Sequence, residues 1–151
     1  MTPYSDITPY SDIYKRFLMN ITDYTFSELD QLQGEELMLE CLEKAISRFS
    51  NCKQDLSNRD NDLQSFNFNL TDIEKEILAD IMTIEWSRHY LNHSELLEYK
   101  LGSKDYAIFS PANLLKEMRE LHSYLVGETE RLKMIYAYSG SLGDLAWKIK
   151  I

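Results

Sequence analysis

Apolar residues recur at helical spacing over most of this chain. Leu37, Met38, Cys41, Leu42, Ala45, Ile46 and Phe49 follow one another at three- and four-residue intervals. That spacing predicts a helix over about 34–50. Glu35 and Glu36 open it, where the helix dipole favours negative charge. Thr71-Asp72-Ile73-Glu74 reads as a capping box, with Thr71 capping free N–H groups and Glu74 reaching back. Ile77, Leu78, Ile81, Met82, Ile84 and Trp86 then cover much of a helical circumference, which marks a helix central to a bundle. Its predicted span is 71–101, with Gly102 as the stop. Ser110-Pro111 supplies a cap and a first residue for a last helix over 110–138. Leu114, Leu115, Met118, Leu121, Leu125, Leu132 and Ile135 form its stripe, and Ser139-Gly140 ends it. Such a helix is about 40 Å long, more than a small domain needs, so one end is expected to project or to pack on a neighbour.

Three segments alternate instead. Phe66 and Phe68 alternate with Asn67 and Asn69 inside the polar stretch 51–69, which otherwise reads as a contact loop. Tyr106-Ala107-Ile108-Phe109 is a second extended candidate. The third runs from Leu145 to Ile151, with Leu145, Trp147, Ile149 and Ile151 on one face and Ala146, Lys148 and Lys150 on the other. Period-two alternation predicts a strand there. Its partner is Phe66–Phe68, Tyr106–Phe109, or another protein by strand addition. An assembly arm is the expectation. The candidate interface residues are Leu145, Trp147, Ile149, Ile151, Phe66 and Phe68.

The opening hexapeptide occurs twice: Thr2-Pro3-Tyr4-Ser5-Asp6-Ile7, then Thr8-Pro9-Tyr10-Ser11-Asp12-Ile13. Six residues are too few for a solenoid repeat. In the second copy Thr8 suits a helix cap and Pro9 a first helical position, with Ile13, Phe17 and Met19 as the buried stripe. The resulting division is a flexible arm over 1–12, a helical domain over 13–140 and a strand-like arm over 141–151. The predicted fold is mainly α: a helical bundle with long helices, short β segments and an extended C-terminal arm.

Composition narrows the function. The chain has 151 residues, five glycines and three prolines, which fits one domain and argues against a loop-rich all-β fold. No apolar run reaches a membrane-spanning length of about 18 residues. The start lacks the basic and apolar regions of a secretory signal. Cys41 and Cys52 are therefore expected as reduced thiols. A net charge of −9 argues against gripping nucleic acid through a basic face.

Candidate chemistry is sparse. Glu85, His89 and His93 share a helix face at four-residue spacing, but nothing further completes a metal site. His122 lies among leucines and reads as a partly buried, satisfied histidine. Gly140-Ser141-Leu142-Gly143 lacks the lysine of a phosphate loop. No nucleophile or carboxylate pair is singled out, so no enzyme, metal or cofactor is expected. Ten tyrosines are spread along the chain, and exposed tyrosine suits protein interfaces.

A set of segments resembles a family of small helical neck proteins of tailed bacteriophages that infect Gram-positive bacteria. They are Ile13-Tyr14-Lys15-Arg16-Phe17, Cys52-Lys53-Gln54-Asp55-Leu56, Leu70-Thr71-Asp72, Glu74-Lys75-Glu76-Ile77-Leu78 and Glu85-Trp86. Ser110 with Asn113-Leu114, and Tyr136-Ala137-Tyr138-Ser139-Gly140-Ser141-Leu142-Gly143-Asp144-Leu145, add to it. The resemblance implies a head-to-tail adaptor: a virion protein assembled in the host cytoplasm that forms a homo-oligomeric ring, typically of twelve copies. It would sit between the portal protein and a neighbouring neck or tail protein. DNA would pass nearby without tight binding, and no membrane is involved. The alternative is a phage-encoded, non-ring helical protein that binds a host protein or another virion protein. The duplicated hexapeptide and the Lys148–Ile151 tail are not features of that family.

Overall fold

The computed structural model describes residues 7–21, 31–109 and 112–149, with side chains over 7–21, 34–89, 91–92 and 116–139. Four helices are described: α1 (Tyr10–Asn20), α2 (Gln31–Arg48), α3 (Asp72–Phe109) and α4 (Ala112–Ile149). They are joined by three two-residue strands, β1 (Thr8–Pro9), β2 (Arg59–Asp60) and β3 (Ser65–Phe66). The chain is thus mainly α with short β segments, as its periodicity predicts.

Helix α3 is the centre. Every residue from Ile77 to Ser87 is buried, so this stretch has no solvent face. The apolar circumference foreshadowed that position. Helices α1, α2 and α4 all pack on it. α4 runs antiparallel to α3, since Ser87 meets His122 near one end and Glu74 meets Tyr136 near the other. The core joins Ile13 and Phe17 of α1, Cys41, Leu42 and Ala45 of α2, Ile77, Leu78 and Met82 of α3, and Met118 and Tyr136 of α4. The capping box forms as expected. Thr71 N–H donates to Glu74 Oε1 at 2.8 Å, and Glu74 N–H donates to Thr71 Oγ1 at 3.3 Å.

Both long helices outrun their predicted stops. α3 passes through Gly102, so Tyr106–Phe109 is helical rather than extended. α4 passes through Gly140 and Gly143, and Leu145–Ile149 forms its last turns rather than a strand-like arm. Ile151 lies outside the described residues. An interior glycine costs about 1 kcal/mol relative to alanine. A helix already nucleated still gains a backbone bond with each residue added. A strand needs a ladder partner for its backbone groups, and a helix supplies its own. Seven residues of alternation, Leu145 to Ile151, are too few to decide between the two.

The small sheet and α1 take in residues 8–12, so this part of the expected 1–12 arm belongs to the fold; residues 1–6 lie outside the described residues. The order is β1-β3-β2, antiparallel on both sides, with Thr8 opposite Phe66 and Arg59 opposite Phe66. The second copy of the hexapeptide is therefore part of the fold. Thr8 does not cap α1. Its Oγ1 donates to Phe68 O at 3.0 Å and accepts from Leu70 N–H at 2.9 Å. Tyr10 is fully buried, edge-on to Phe66 with ring centroids 5.2 Å apart, and its hydroxyl donates to Asn61 Oδ1 at 2.6 Å. Ile13 and Phe17 are buried as expected, whereas Met19 is 77% exposed. The first copy, apart from Ile7, lies outside the described residues.

Segment 51–69 is tied down rather than a free contact loop. Asp55 Oδ1 accepts from Ser57 N–H, and Asp60 Oδ1 accepts from Asp62 and Leu63 N–H at 2.9 and 3.1 Å. These are aspartate-closed turns, in which a side chain replaces a backbone acceptor. Gln64, at φ 51°, completes the reversal into β3.

Candidate functional site

Glu74 sits where three parts of the fold meet. Its side chain is buried, and its carboxylate is surrounded by donors. Tyr136 Oη of α4 donates to Oε2 at 2.6 Å, and Cys52 Sγ lies 3.6 Å from the same oxygen. Gln54 Nε2 donates to Oε1 at 2.6 Å, beside the Thr71 N–H. Burial alone would raise the Glu74 pKa. The hydrogen bonds from Tyr136, Thr71 and Gln54 outweigh it and hold the carboxyl below its ordinary value. Tyr136 is pushed up in turn, by burial and by the carboxylate it serves. Lys53 N–H donates to the Tyr136 hydroxyl at 2.7 Å, and Phe49 packs edge-on to the ring at 5.4 Å. With every oxygen engaged and no open path to them, this cluster fastens the 51–58 segment to α3 and α4. It is a structural hub.

Glu85 and His122 are engaged within the fold as well. Glu85 is buried and accepts from Arg48 Nε at 2.5 Å and Arg88 Nη1 at 3.4 Å. It is therefore held by arginines rather than presented with His89, which is exposed. The His93 side chain lies outside the described ones. Among the described residues no group of three or more His, Cys, Asp or Glu side chains converges. His122 Nδ1 lies 2.7 Å from Ser87 Oγ, which itself donates to Ile84 O at 2.8 Å. The histidine must then carry its proton on Nδ1 and donate to Ser87. Burial lowers its pKa, with Arg88 adding to the effect. His122 is thus the satisfied, partly buried histidine its neighbours predicted.

The thiols do not invite chemistry. Cys41 and Cys52 are both free. Burial pushes Cys41 up to about 12 and raises Cys52 as well, so neither forms a ready thiolate. Among the described residues, Asp80 is the buried carboxylate raised strongly, to about 6. Burial is the main cause; Glu76 and Glu128 add to it, and a hydrogen bond from Asn20 opposes it.

Of the predicted interface residues, Phe66 and Phe68 have described side chains, and both belong to the small sheet region. Phe66 is fully buried against Tyr10, and Phe68 is half-buried beside it. Phe66 therefore offers nothing to a partner. β3 is flanked by strands on both sides, so it cannot receive a strand from elsewhere. Leu145, Trp147 and Ile149 lie on the last turns of α4, and Ile151 lies outside the described residues.

The surface that does stand open is the outer face of α4. Met118, Leu125, Thr129 and Tyr136 face the core. At 3.6 residues per turn the opposite side carries Tyr124, Gly127, Arg131, Met134, Ile135 and Tyr138. Tyr124 is 64% exposed, Met134 60%, Ile135 46% and Tyr138 56%. Ile135 was expected in the buried stripe and belongs to this second one. Single exposed apolar residues are ordinary, but four on one helix face form a patch. Each large side chain left in water forgoes about 1.5–3 kcal/mol. Gly127 lies on the same face, and a Cβ there would meet nothing within 4 Å. Nothing in the described packing requires a glycine at this helical position, where it costs about 1 kcal/mol. The spacing of Tyr124, Ile135 and Tyr138 was the signal for this face, masked by the stronger core stripe.

Among the described residues no helix is long and apolar enough to cross a membrane. Comparison with known protein families, curated proteins and solved structures finds no match to this chain.

Proposed function

We propose that this chain is a structural subunit that acts by packing against other protein chains, as a head-to-tail adaptor in the neck of a tailed bacteriophage. In that role copies form a ring between the portal and a neighbouring neck or tail protein, and DNA passes through without being gripped. The observation that carries the reading is the apolar outer face of α4, which stands exposed among the described residues. The internal engagement of Glu74, Glu85 and His122 supports it: these buried polar groups are bonded within the fold and hold it together. The net charge of −9 suits a wall that repels phosphates. The resemblance of the segments from Ile13 to Leu145 to phage neck proteins supplies the assembly.

Light scattering of the purified chain, with and without a portal ring of a tailed phage infecting Gram-positive bacteria, tests the proposal. A complex carrying many copies per portal is expected. Tyr124→Glu should abolish it while leaving the helical circular-dichroism signal intact. A chain that never associates with the portal, or a complex of only one or two copies, would overturn the ring reading.

A further inference from the structure

The outer face of α4 has a register as well as a composition. Leu121, Tyr124, Glu128, Arg131, Ile135 and Tyr138 follow at alternating spacings of three and four, which is the seam of a coiled coil. Leu121 and Glu128 are half-buried, and the others are exposed. Glu128 and Arg131 already pair along the helix, with Arg131 Nε 3.2 Å from Glu128 Oε2. They stand at the midpoint, with apolar positions on either side.

We propose that this seam pairs with the same seam of a second copy of the chain, antiparallel and about a two-fold axis. The inference rests on the reading of α4 as a packing surface, and it names the partner. In an antiparallel coiled coil each core position faces its complement from the other end. Leu121 then meets the second copy's Tyr138, Tyr124 meets its Ile135, and Glu128 meets its Arg131. Each pair occurs twice, so six layers form from one self-complementary face, as a two-fold contact requires. Apolar layers lie outside and opposite charges lie at the centre. The flanking positions agree: Gly127 stands beside the second copy's Met134, so the flexible thioether fills the space that the missing Cβ leaves.

Charge decides the direction. In a parallel pair each residue would face itself, so Glu128 would meet Glu128 and Arg131 would meet Arg131. Two like-charged layers at the centre of a seam are repulsive; the antiparallel pair converts both into attraction. A polar layer inside an otherwise apolar seam also sets register, because any slip puts a charge against Tyr124 or Ile135. In sequence, Leu142, Leu145 and Ile149 continue the same spacing on the helix that runs to Ile149.

Neighbours in a cyclic ring are related by rotation along the ring, not by a two-fold axis between adjacent copies. The antiparallel pair is therefore the form of the free protein. It covers the α4 face until a ring contact replaces it.

The test is the mass of the full-length chain by light scattering across a concentration series, without portal. A dimer is expected at high concentration. Glu128→Arg and Arg131→Glu should each weaken it by about tenfold or more, and the double exchange should restore it, with helical signal unchanged throughout. Ile135→Glu should give a monomer. A wild-type chain that stays monomeric at high concentration would overturn the inference, as would single charge variants that dimerise like wild type. The outcomes separate from those of the portal experiment. A monomer that still loads onto the portal removes the dimer and leaves the adaptor reading. A dimer that never loads removes the adaptor reading and leaves the pair.

Discussion

Removing one oxygen atom tests the hub at Glu74. In Tyr136→Phe the ring keeps its place against Phe49, and only the hydroxyl is lost. That hydroxyl donates to Glu74 Oε2 at 2.6 Å and accepts from Lys53 N–H at 2.7 Å. A hydrogen bond to a charged acceptor contributes about 1.5–3 kcal/mol. Lys53 is exposed, so water can take over its N–H. The expected loss at pH 7 is therefore about 2–3 kcal/mol, read from urea unfolding followed by fluorescence of the buried Trp86. The pH dependence is the sharper check. Glu74 is held below its ordinary value, so its contribution is present above the unfolded pKa and is lost as pH falls through the folded one. Without the Tyr136 bond, burial gains on the remaining donors and the folded pKa of Glu74 rises. The variant should begin to lose stability at a higher pH than wild type, and the gap should close once both carboxyls are protonated. A loss below about 0.5 kcal/mol, the level of an ordinary surface substitution, would refute the hub. So would a gap that stays constant into acid.

Asp80 behaves with the opposite sign. Its folded pKa of about 6 lies above the ordinary 3.8, so the stability tied to its protonation is present below pH 4 and is lost as pH rises through 6. Asp80→Asn keeps the Asn20 contact and removes the buried charge; at pH 7 it should stabilise the chain by about 1–3 kcal/mol, measured by urea unfolding. Thr8→Ala strands the buried Leu70 N–H and should cost about 1–3 kcal/mol, whereas Thr8→Ser should recover most of that loss in the same assay. The isolated chain should show no tight DNA binding at physiological salt in a fluorescence-anisotropy titration; a strong, salt-steep isotherm would contradict the passive-wall role.

What could be read from the sequence was what is encoded locally. The capping box at Thr71 and Glu74 lies within four residues, and the central position of α3 follows from apolar residues one turn apart. The same Glu74 has a second role that no local pattern could show, because Tyr136 is 62 positions away. Thr8 reads as a helix cap from its neighbours; its real partners, Phe68 and Leu70, come from across the sheet. The C-terminal alternation misled for a different reason: a few residues of period two fit a helix end as well as a strand, and through Ile149 the chain is helical. The outer stripe of α4 was hidden because one helix carries two stripes, and the more apolar one draws attention to the core.

The duplicated hexapeptide, of which the second copy is built into the sheet and α1, sets a choice of frame. The two copies are identical, so nothing within Thr-Pro-Tyr-Ser-Asp-Ile itself tells the fold which to use. The choice falls to what comes next. After the second copy the chain continues as Tyr14-Lys15-Arg16-Phe17, and Phe17 is fully buried. After the first it continues as Thr8-Pro9. A helix begun on the first copy would meet Pro9 in its interior, at a cost of about 3 kcal/mol, and would place Ser11 where Phe17 packs. Discrimination between two equal addresses is thus made downstream of both. A Pro9→Ala, Ser11→Phe double variant would bring the frames closer in energy and turn a single native state into two.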